Sequence, residues 1–437
     1  MMEIGISFAI LVGLLVIGVP VLYCFGASLL YASYTLGYTA TGIFPTIYGK
    51  LSSVVLLSIP LFILAGKIME HGKIGDALVG FVELFVGKIK GSLTIITTVA
   101  CAVFGSICGS GMATLSCIGS IMMPKMQAKR YPMEIAAAVA CCAAPIGMLI
   151  PPSSLCIVVA WAANLSVTAC FLSTLIPGII LTVLISLVSY FMMRNRDVDV
   201  GSGFEESVKL GDVVWPRTKQ AIPALIMPVI ILGGIYGGII TATEAAAVAA
   251  IYAIPVAILI YNGTTIRGMK AVMMDSAKTT GIVMVMVVMT MALGQILTME
   301  NMPTVLLSGL TSISSNKYVI LLTINLFLIL IGMIMDDTCA TMLTAPLLIP
   351  IGVALGVNPY QMCAILVTNI GMGNVTPPTA PFLYMASGMA GVNAAKVMKP
   401  VILIILFAYF PTLLLTTFIP ELSTWLPNLI LGSKIAL

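Results

Sequence analysis

Residues 335–379 read MDDTCATMLTAPLLIPIGVALGVNPYQMCAILVTNIGMGNVTPPT, and two adjacent carboxylates, Asp336 and Asp337, open this otherwise apolar stretch. The chain carries no charged residue from Thr338 to Ala395, yet glycines and a proline pair break that run. A carboxylate at bilayer depth costs roughly 2.5–3.5 kcal/mol, so it usually faces a cavity or a bound cation. A broken helix at that depth requires protein or a polar cavity to satisfy its backbone. The stretch therefore predicts a functional site inside a membrane.

The same pattern occurs once earlier in the chain. Pro151-Pro152 and Pro377-Pro378 lie 377 − 151 = 226 residues apart, and Gly147 matches Gly373 at the same offset. Broken apolar segments at equivalent places of an internal repeat are typical of secondary transporters and point to their binding site.

The composition of the whole chain agrees with a membrane protein. Of its 437 residues, 60% are hydrophobic and 8% are charged, whereas soluble domains carry about 25% charged residues. The net charge of +4 gives no indication of a nucleic-acid partner. The N-terminus lacks a basic region and a cleavage site, so a first membrane helix is expected there. The ten cysteines lie in apolar runs and are expected to be buried.

The first repeat is predicted to cover residues 1–193. It comprises scaffold helices over 1–90, a re-entrant helical hairpin over 91–127, a broken helix over 132–163 and an outer helix over 171–193. The hairpin is predicted because Gly and Ser residues interrupt the centre of its uncharged run. Basic residues flank both of its ends, and basic short loops favour the cytoplasm, so this hairpin enters from inside.

A polar segment over 194–220 is predicted to be a cytoplasmic linker to the second repeat, 221–437. The second repeat comprises scaffold helices over 221–315, a hairpin over 317–355, a broken helix over 359–391 and a last helix over 398–420. Its hairpin has few basic residues at its ends, so it is predicted to open on the opposite side. The expected fold is an all-α polytopic membrane protein made of two inverted repeats.

Two cation sites are predicted, each where a hairpin tip meets a broken helix. The breaks expose backbone carbonyls, which together with hydroxyls are hard oxygen ligands suited to Na⁺. The first site combines Ser106, Ser110 and Thr114 with carbonyls near Gly147 and Pro151. The second site combines Asp336 or Asp337, Thr338 and Thr341 with carbonyls near Gly371, Asn374 and Thr376. The sequence does not decide which of the two carboxylates binds the cation.

The N-terminal ends of the half-helices suit an anionic substrate group, because their free N–H groups and dipoles attract it. The predicted substrate-binding residues are Ser110, Gly111, Ser153, Ser154, Thr338 and Thr379. A purely structural alternative stays open. Gly, Ser and Thr also let membrane helices pack closely, and one of the two carboxylates could serve only as a helix cap.

Several motifs, in order along nearly the whole chain, resemble the large membrane subunit of TRAP (tripartite ATP-independent periplasmic) transporters. These motifs are SIPLFILAG at 58–66, FGSICGSGMATLSCIGSIMMP at 104–124, PIGMLIPPS at 145–153, GGIITATEAAA at 237–247 and GMGNVTPPTAPFLY at 371–384. The resemblance implies an ion-transporter-type fold, in which a scaffold surrounds an elevator-type transport domain. It also implies Na⁺ coupling and no enzymatic activity.

The resemblance further implies a small four-helix membrane subunit on a separate chain and a soluble periplasmic substrate-binding protein. The protein would lie in lipid of the bacterial inner membrane and import a small organic acid, such as a C4-dicarboxylate or sialic acid. The hairpin tips contain no Arg or Lys, which favours a polyhydroxylated monocarboxylate such as sialic acid. The main alternative is a stand-alone Na⁺-coupled carboxylate carrier without a binding protein. A channel or an intramembrane enzyme fits the paired broken repeats less well.

Overall fold

The computed structural model of the chain describes residues 2–86, 91–196 and 210–432, and these segments consist of helices joined by short turns. Eight of the helices are long and apolar enough to cross a membrane. A helix pair, Met133–Leu149 and Ser154–Ala162, is bent by 46° at its break and, counted as one broken span, would make a ninth. The described part of the chain is thus a polytopic helical membrane protein.

The N-terminal region forms five helices that pack outside the hairpins. They are α1 (Met2–Val16), α2 (Val21–Leu36), α3 (Ala40–Leu51), α4 (Ser58–His71) and α5 (Ile74–Val86), with a 3₁₀ turn at Val54–Leu57 before α4. Helices α1 and α2 are joined by Ser7 and Ser28, whose buried hydroxyl oxygens lie 2.7 Å apart. Each hydroxyl also lies within hydrogen-bond distance of the other residue's carbonyl, which satisfies the polar groups between two apolar helices.

The first hairpin and the first broken crossing follow. The elements are α6 (Ser92–Cys108), α7 (Gly111–Ala128), α8 (Met133–Ala143), α9 (Ile146–Leu149), α10 (Ser154–Ala162) and α11 (Val167–Met193). Helix α6 ends because Gly109 takes a left-handed conformation with φ +63°, which glycine adopts without strain. Helix α11 begins four residues before the predicted 171, because the Ser166 hydroxyl caps it by accepting from Ala169 N at 3.4 Å.

The second half begins with α12, whose first residue, Leu210, lies inside the predicted linker; residues 197–209 of that linker lie outside the described residues. The elements up to the second hairpin are α12 (Leu210–Tyr236), α13 (Ala242–Pro255), a π-helical turn (Val256–Ile260), α14 (Ile266–Met299) and α15 (Met302–Ile313). Helix α13 starts at a capping box in which Thr241 and Glu244 each accept the other's backbone N–H.

The second hairpin and broken crossing repeat the order of the first. They are α16 (Lys317–Ile334), α17 (Asp337–Ala354), α18 (Pro359–Val375) and α19 (Pro381–Ala390). The C-terminal region contains α20 (Ala394–Ile404), a π-helical turn (Ile405–Tyr409), α21 (Phe410–Phe418) and α22 (Glu421–Leu431). The predicted last helix, 398–420, thus corresponds to α20 and α21, which the π-helical turn joins.

The two broken crossings lie at the centre of the molecule. Every residue of α18 is buried, and α18 contacts α9, α10, α11, α16 and α17. The hairpins flank this centre, α6 and α7 beside α8 and α9, and α16 and α17 beside α18. Helices α4 and α14 contact the hairpins from outside, α4 against α6 and α7 and α14 against α17. This arrangement places both hairpin tips against the interior breaks.

Candidate functional site

The tip of the first hairpin is bound directly to the break of the first crossing. The carbonyl of Gly109 accepts two hydrogen bonds from Ser154, from its N at 3.2 Å and from its Oγ at 2.9 Å. A Cβ on Gly109 would lie 2.5 Å from the carbonyl oxygen of Pro152. The close approach of two backbones therefore fixes the tip, and Ser154, one of the predicted substrate residues, is engaged in holding it.

Three of the residues predicted for the first cation site come together behind this tip. The Thr114 hydroxyl donates to the Ser110 carbonyl at 2.7 Å and lies 3.3 Å from Cys108 Sγ. A Cβ on Gly147 would lie 2.6 Å from the same hydroxyl and 3.5 Å from the Ser110 carbonyl. The glycine thus leaves a cradle lined by a carbonyl and a hydroxyl oxygen, which are ligands of the kind that Na⁺ prefers.

The remaining first-half residues lie around this cradle with other partners. The half-buried Ser106 donates its hydroxyl to Val103 O of its own helix at 2.6 Å. Pro151 lies in the buried connection between α9 and α10. The Ser153 hydroxyl caps α10 by accepting from Cys156 N at 3.4 Å. A Cβ on Gly111 would meet Met148 of α9 and Phe382 of α19, so this glycine lies between the two crossings.

The residues predicted at the second tip form one cluster on the first turn of α17. Asp336 is the N-cap of the helix and accepts from Thr338 N at 3.1 Å. Asp337 Oδ1 accepts from the same N at 2.7 Å and lies 3.3 Å from the Thr338 hydroxyl. The Thr341 hydroxyl donates to Asp337 O at 2.7 Å. Asp336 is exposed and Asp337 is half-buried, so the cluster presents two carboxylates beside one helix N-terminus.

The second hairpin contacts the break of the second crossing at Met333, about one helical turn before Asp336 and Asp337. The Thr379 hydroxyl donates to Met333 O at 2.5 Å, and a Cβ on Gly332 would lie 3.2 Å from Gly373 Cα. The Thr376 hydroxyl is turned back to Met372 O at 2.6 Å. The side-chain oxygen of Asn374 is buried and has no hydrogen-bond partner. Such an orphaned oxygen fits a bound cation, because an unpaired buried polar atom is otherwise costly.

Gly371 differs from the other residues predicted for the second site. A Cβ on it would lie 3.3 Å from Pro145 Cβ, at the start of α9, and 4.0 Å from the Leu149 side chain. It therefore faces the first crossing, where it brings the two breaks side by side. The sites of the two halves accordingly lie back to back at the centre of the molecule.

A buried polar network on α16, α18 and α21 was not predicted from the sequence. Asn369 Nδ2 donates to Asn325 Oδ1 at 3.0 Å, and Asn325 Nδ2 donates to Thr417 Oγ1 at 2.9 Å. Gln361 Nε2 donates to the Thr416 and Thr417 carbonyls at 3.1 and 3.0 Å. The available signal was the amide side chains inside two uncharged spans, Asn325 in α16 and Gln361 and Asn369 in α18, which must find partners there.

The paired hairpins and broken crossings define a membrane carrier as the class of this protein. A family model described as "Tripartite ATP-independent periplasmic transporter, DctM component" matches residues 8–422. The chain belongs to this family. It is therefore a multi-pass permease subunit of the inner membrane and takes part in tripartite, periplasmic-type uptake, and it is not an enzyme.

Relatives and a solved structure agree with this membership. The chain is 31% identical to the C4-dicarboxylate TRAP transporter large permease protein DctM of Vibrio cholerae, over 99% of both chains. It is 30% identical to the sialic acid TRAP transporter large permease protein SiaM of the same species, over 96% of this chain and 97% of the relative. The Alcanivorax borkumensis YdaH transporter shares its fold, with a TM-score of 0.62, 16% identity and 91% of each chain covered.

Proposed function

We propose that the protein imports an organic acid by Na⁺-coupled secondary transport, and that a soluble periplasmic substrate-binding protein delivers the acid. A small four-helix membrane subunit would complete the system in the lipid bilayer. The names of two relatives support this substrate class, because one name includes C4-dicarboxylate and the other includes sialic acid. The expected role of Na⁺ is to neutralise the substrate charge and to supply the driving force.

The proposal rests on the observation that the two halves of the chain show the same arrangement. Each hairpin tip is hydrogen-bonded to the break of its own crossing, through Ser154 to Gly109 O and through Thr379 to Met333 O. Each junction also offers oxygen atoms to a cation, the Ser110 carbonyl and Thr114 hydroxyl in one half and the Asn374 amide in the other. Two such sites between broken apolar helices favour ion-coupled transport over a continuous pore.

We infer an elevator-type movement of the hairpins and crossings against the scaffold helices. The contact of α4 with the first hairpin supports it. A Cβ on Gly66 would lie 3.3 Å from Cys108 Cβ, so small residues form that surface. The Ser116 hydroxyl donates to Glu70 Oε1 at 2.5 Å across the same surface. Two surfaces of small residues joined by few hydrogen bonds can slide past each other at low energetic cost.

The chemistry of the tips favours sialic acid over a C4-dicarboxylate. Neither tip contains Arg or Lys, so a substrate carboxylate would be bound by helix N-terminal N–H groups, by hydroxyls and by the bound cations. This set suits one carboxylate with several hydroxyl groups. A second carboxylate would need further positive charge near the tips.

The test is uptake of radiolabelled sialic acid and succinate into proteoliposomes that contain this chain and its small membrane subunit. Each substrate is offered with an inward Na⁺ gradient or with K⁺ in its place, and with or without the binding protein. We expect uptake that requires both Na⁺ and the binding protein. Uptake without the binding protein would indicate a stand-alone carrier, and uptake with K⁺ alone would contradict Na⁺ coupling.

A further inference from the structure

A cavity lies between the scaffold helices α3 and α14 and the broken crossing and hairpin helices α10 and α17. It has two adjoining parts of about 390 and about 100 Å³, and both are lined by Lys50, Trp161 and Asn164. The smaller part is also lined by Gln295 and Thr298 of α14. The volume is in the range of pockets that hold small organic ligands. None of these residues belongs to the two predicted cation sites.

The only charged side chain in the described lining of this cavity is Lys50. Its Nζ lies 3.4 Å from Gln295 Oε1, and none of the ion pairs among the described residues involves it. The nearest acid along α14, Glu300, accepts a hydrogen bond from the Tyr38 hydroxyl at 2.7 Å. The lysine therefore presents a positive charge that no carboxylate of the described chain neutralises.

The rest of the lining suits the body of an organic acid. Two amide side chains, Asn164 and Gln295, and the Thr298 hydroxyl offer donors and acceptors to hydroxyl groups. The Trp161 ring and the side chain of Met342 supply apolar surface beside them. A lysine with amides and one aromatic ring is a combination that binds a carboxylate together with a polyhydroxylated or aliphatic chain.

The position of the cavity relates it to uptake. Residues 161–164 lie at the C-terminal end of α10 and just after it, a position that the predicted orientation places on the periplasmic side. Residues 342–346 of α17 belong to the hairpin that is predicted to open on that same side. One wall of the cavity belongs to the predicted scaffold and the other to the predicted transport domain, so a bound acid would lie against both bodies.

We propose that this cavity is a carboxylate-binding site at the outer mouth of the transporter, where Lys50 binds the acid on its way to the hairpin tips. The inference rests on the proposed function, since it assigns a first binding position to the same substrate. A small acid is favoured over an acidic surface of the binding protein. Lys50 is exposed, but its Nζ lies 3.4 Å from Gln295 Oε1 and both side chains line the cavity, where a small acid can contact the lysine and the amides together.

The test compares Lys50→Met with Lys50→Arg in the complete membrane complex. The matched control is Lys317→Met, an exposed lysine at the start of α16, which is predicted to face the same side. Binding of radiolabelled sialic acid and succinate to the membrane complex is measured without the binding protein, in nanodiscs of phosphatidylcholine. Uptake into proteoliposomes is then measured as a function of the concentration of loaded binding protein.

We expect Lys50→Met to weaken binding of the transported acid at least tenfold, while Lys50→Arg and Lys317→Met stay within about threefold. The half-saturating concentration of the binding protein should not change. Unchanged acid binding with a raised half-saturating concentration would instead make Lys50 a docking residue for the binding protein and overturn the inference. An effect that appears only in nanodiscs containing phosphatidylglycerol would assign the site to a lipid headgroup and also overturn it.

The two proposals fail in different ways. If the unaltered complex takes up neither acid, the proposed function is overturned and the mouth site with it. If the unaltered complex takes up an acid and Lys50→Met binds that acid normally, the mouth site alone is overturned. Gln295→Leu provides a second variant, because it removes the partner that orients Lys50 and leaves the charge in place. We expect it to weaken acid binding about threefold.

Discussion

Each hairpin tip contacts the break of its own crossing, but the two tips make this contact with different groups. At the first tip the backbones meet directly, since Ser154 N donates to the Gly109 carbonyl and a Cβ on Gly109 would lie 2.5 Å from Pro152 O. At the second tip the Thr379 side chain makes the contact to Met333 O, and two carboxylates follow it. At the first junction Gly109 and Pro152 are buried and Ser154 is half-buried, whereas Asp336 and Thr379 of the second are exposed. The comparison indicates an enclosed first site and a second site whose side chains remain accessible.

The two halves also differ in how a pair of glycines approaches at each junction. Gly105 of α6 lies directly against Gly147, and Gly332 of α16 lies against Gly373. A Cβ on Gly105 would overlap Gly147 Cα, whereas a Cβ on Gly332 would keep 3.1 Å to its nearest atom, the Ile370 carbonyl oxygen. In the reciprocal direction a Cβ on Gly147 would keep 3.1 Å to Gly105 Cα, whereas a Cβ on Gly373 would lie 2.7 Å from Gly332 Cα. The closer approach thus falls on the hairpin glycine in the first half and on the crossing glycine in the second.

The largest effect is expected from Gly105→Ala. The added methyl must push two backbones apart, and overpacking of this kind costs up to about 3 kcal/mol or more. The matched variant Gly332→Ala has room for a small adjustment and should cost about 1 kcal/mol. Thermal unfolding of the purified membrane complex, followed by size-exclusion chromatography, measures both. Equal losses in the two variants would show that Gly105 and Gly332 do not differ in the room beside them.

The next largest effect separates the two carboxylates. We expect Asp337→Asn to raise the Na⁺ concentration for half-maximal uptake at least tenfold, because it removes charge from the half-buried position. Asp336→Asn should change it less than twofold, because Asn caps a helix as well as Asp does. The measurement is initial uptake against Na⁺ concentration at equal amounts of reconstituted protein. A larger shift in Asp336→Asn would assign the cation to the cap residue instead.

A third difference between the halves lies at the far ends of the hairpins. Glu83 of α5 is buried and pairs with Lys125 of α7 at 2.7 Å and with Arg217 of α12 at 2.9 Å. The corresponding end of α17 is uncharged. Because both bases are partly exposed, Glu83→Gln should lower stability by only about 1 kcal/mol. Thermal unfolding is again the readout, with Glu421→Gln at an exposed position of α22 as control. Equal shifts of the unfolding temperature in both variants would argue against a specific stabilising role of the Glu83 ion pairs.

The smallest effects concern the two junction hydroxyls. Ser154→Ala keeps the backbone N–H that donates to Gly109 O, so we expect less than a twofold change in Na⁺ affinity. Thr379→Val removes the hydrogen bond to Met333 O and should weaken Na⁺ affinity about fivefold, equivalent to about 1 kcal/mol. The Na⁺ dependence of uptake compares the two variants directly. A stronger effect of Ser154→Ala would mean that the first junction depends on its side chain after all.

Much of the fold could be predicted because the sequence carries strong local signals. The break of the first hairpin falls at Gly109 and Ser110, inside the predicted Gly and Ser cluster, and α16 and α17 span Lys317 to Ala354, close to the predicted 317–355. The 226-residue offset identified equivalent breaks. A helix end that depends on a single capping residue was harder to predict, as the earlier start of α11 after its cap Ser166 shows.

Contacts between distant segments could not be predicted from the sequence. Nothing local indicates that Gly105 lies on Gly147, that Gly371 faces Pro145, or that Glu83 pairs with Arg217 over 134 positions. The Lys50 cavity could not be predicted for the same reason, because four helices from both halves line it. The proximity of Asp337, Thr338 and Thr341 could be predicted, because helical spacing alone brings residues of one turn together.

The most direct test of Na⁺ coupling through both junctions is simultaneous uptake of ²²Na⁺ and labelled substrate into the same proteoliposomes. With the binding protein present, two cation sites predict Na⁺ influx that depends on substrate, at about two ions per acid. Asp337→Asn should lower both fluxes together. Substrate uptake that proceeds without any accompanying Na⁺ influx would contradict the account.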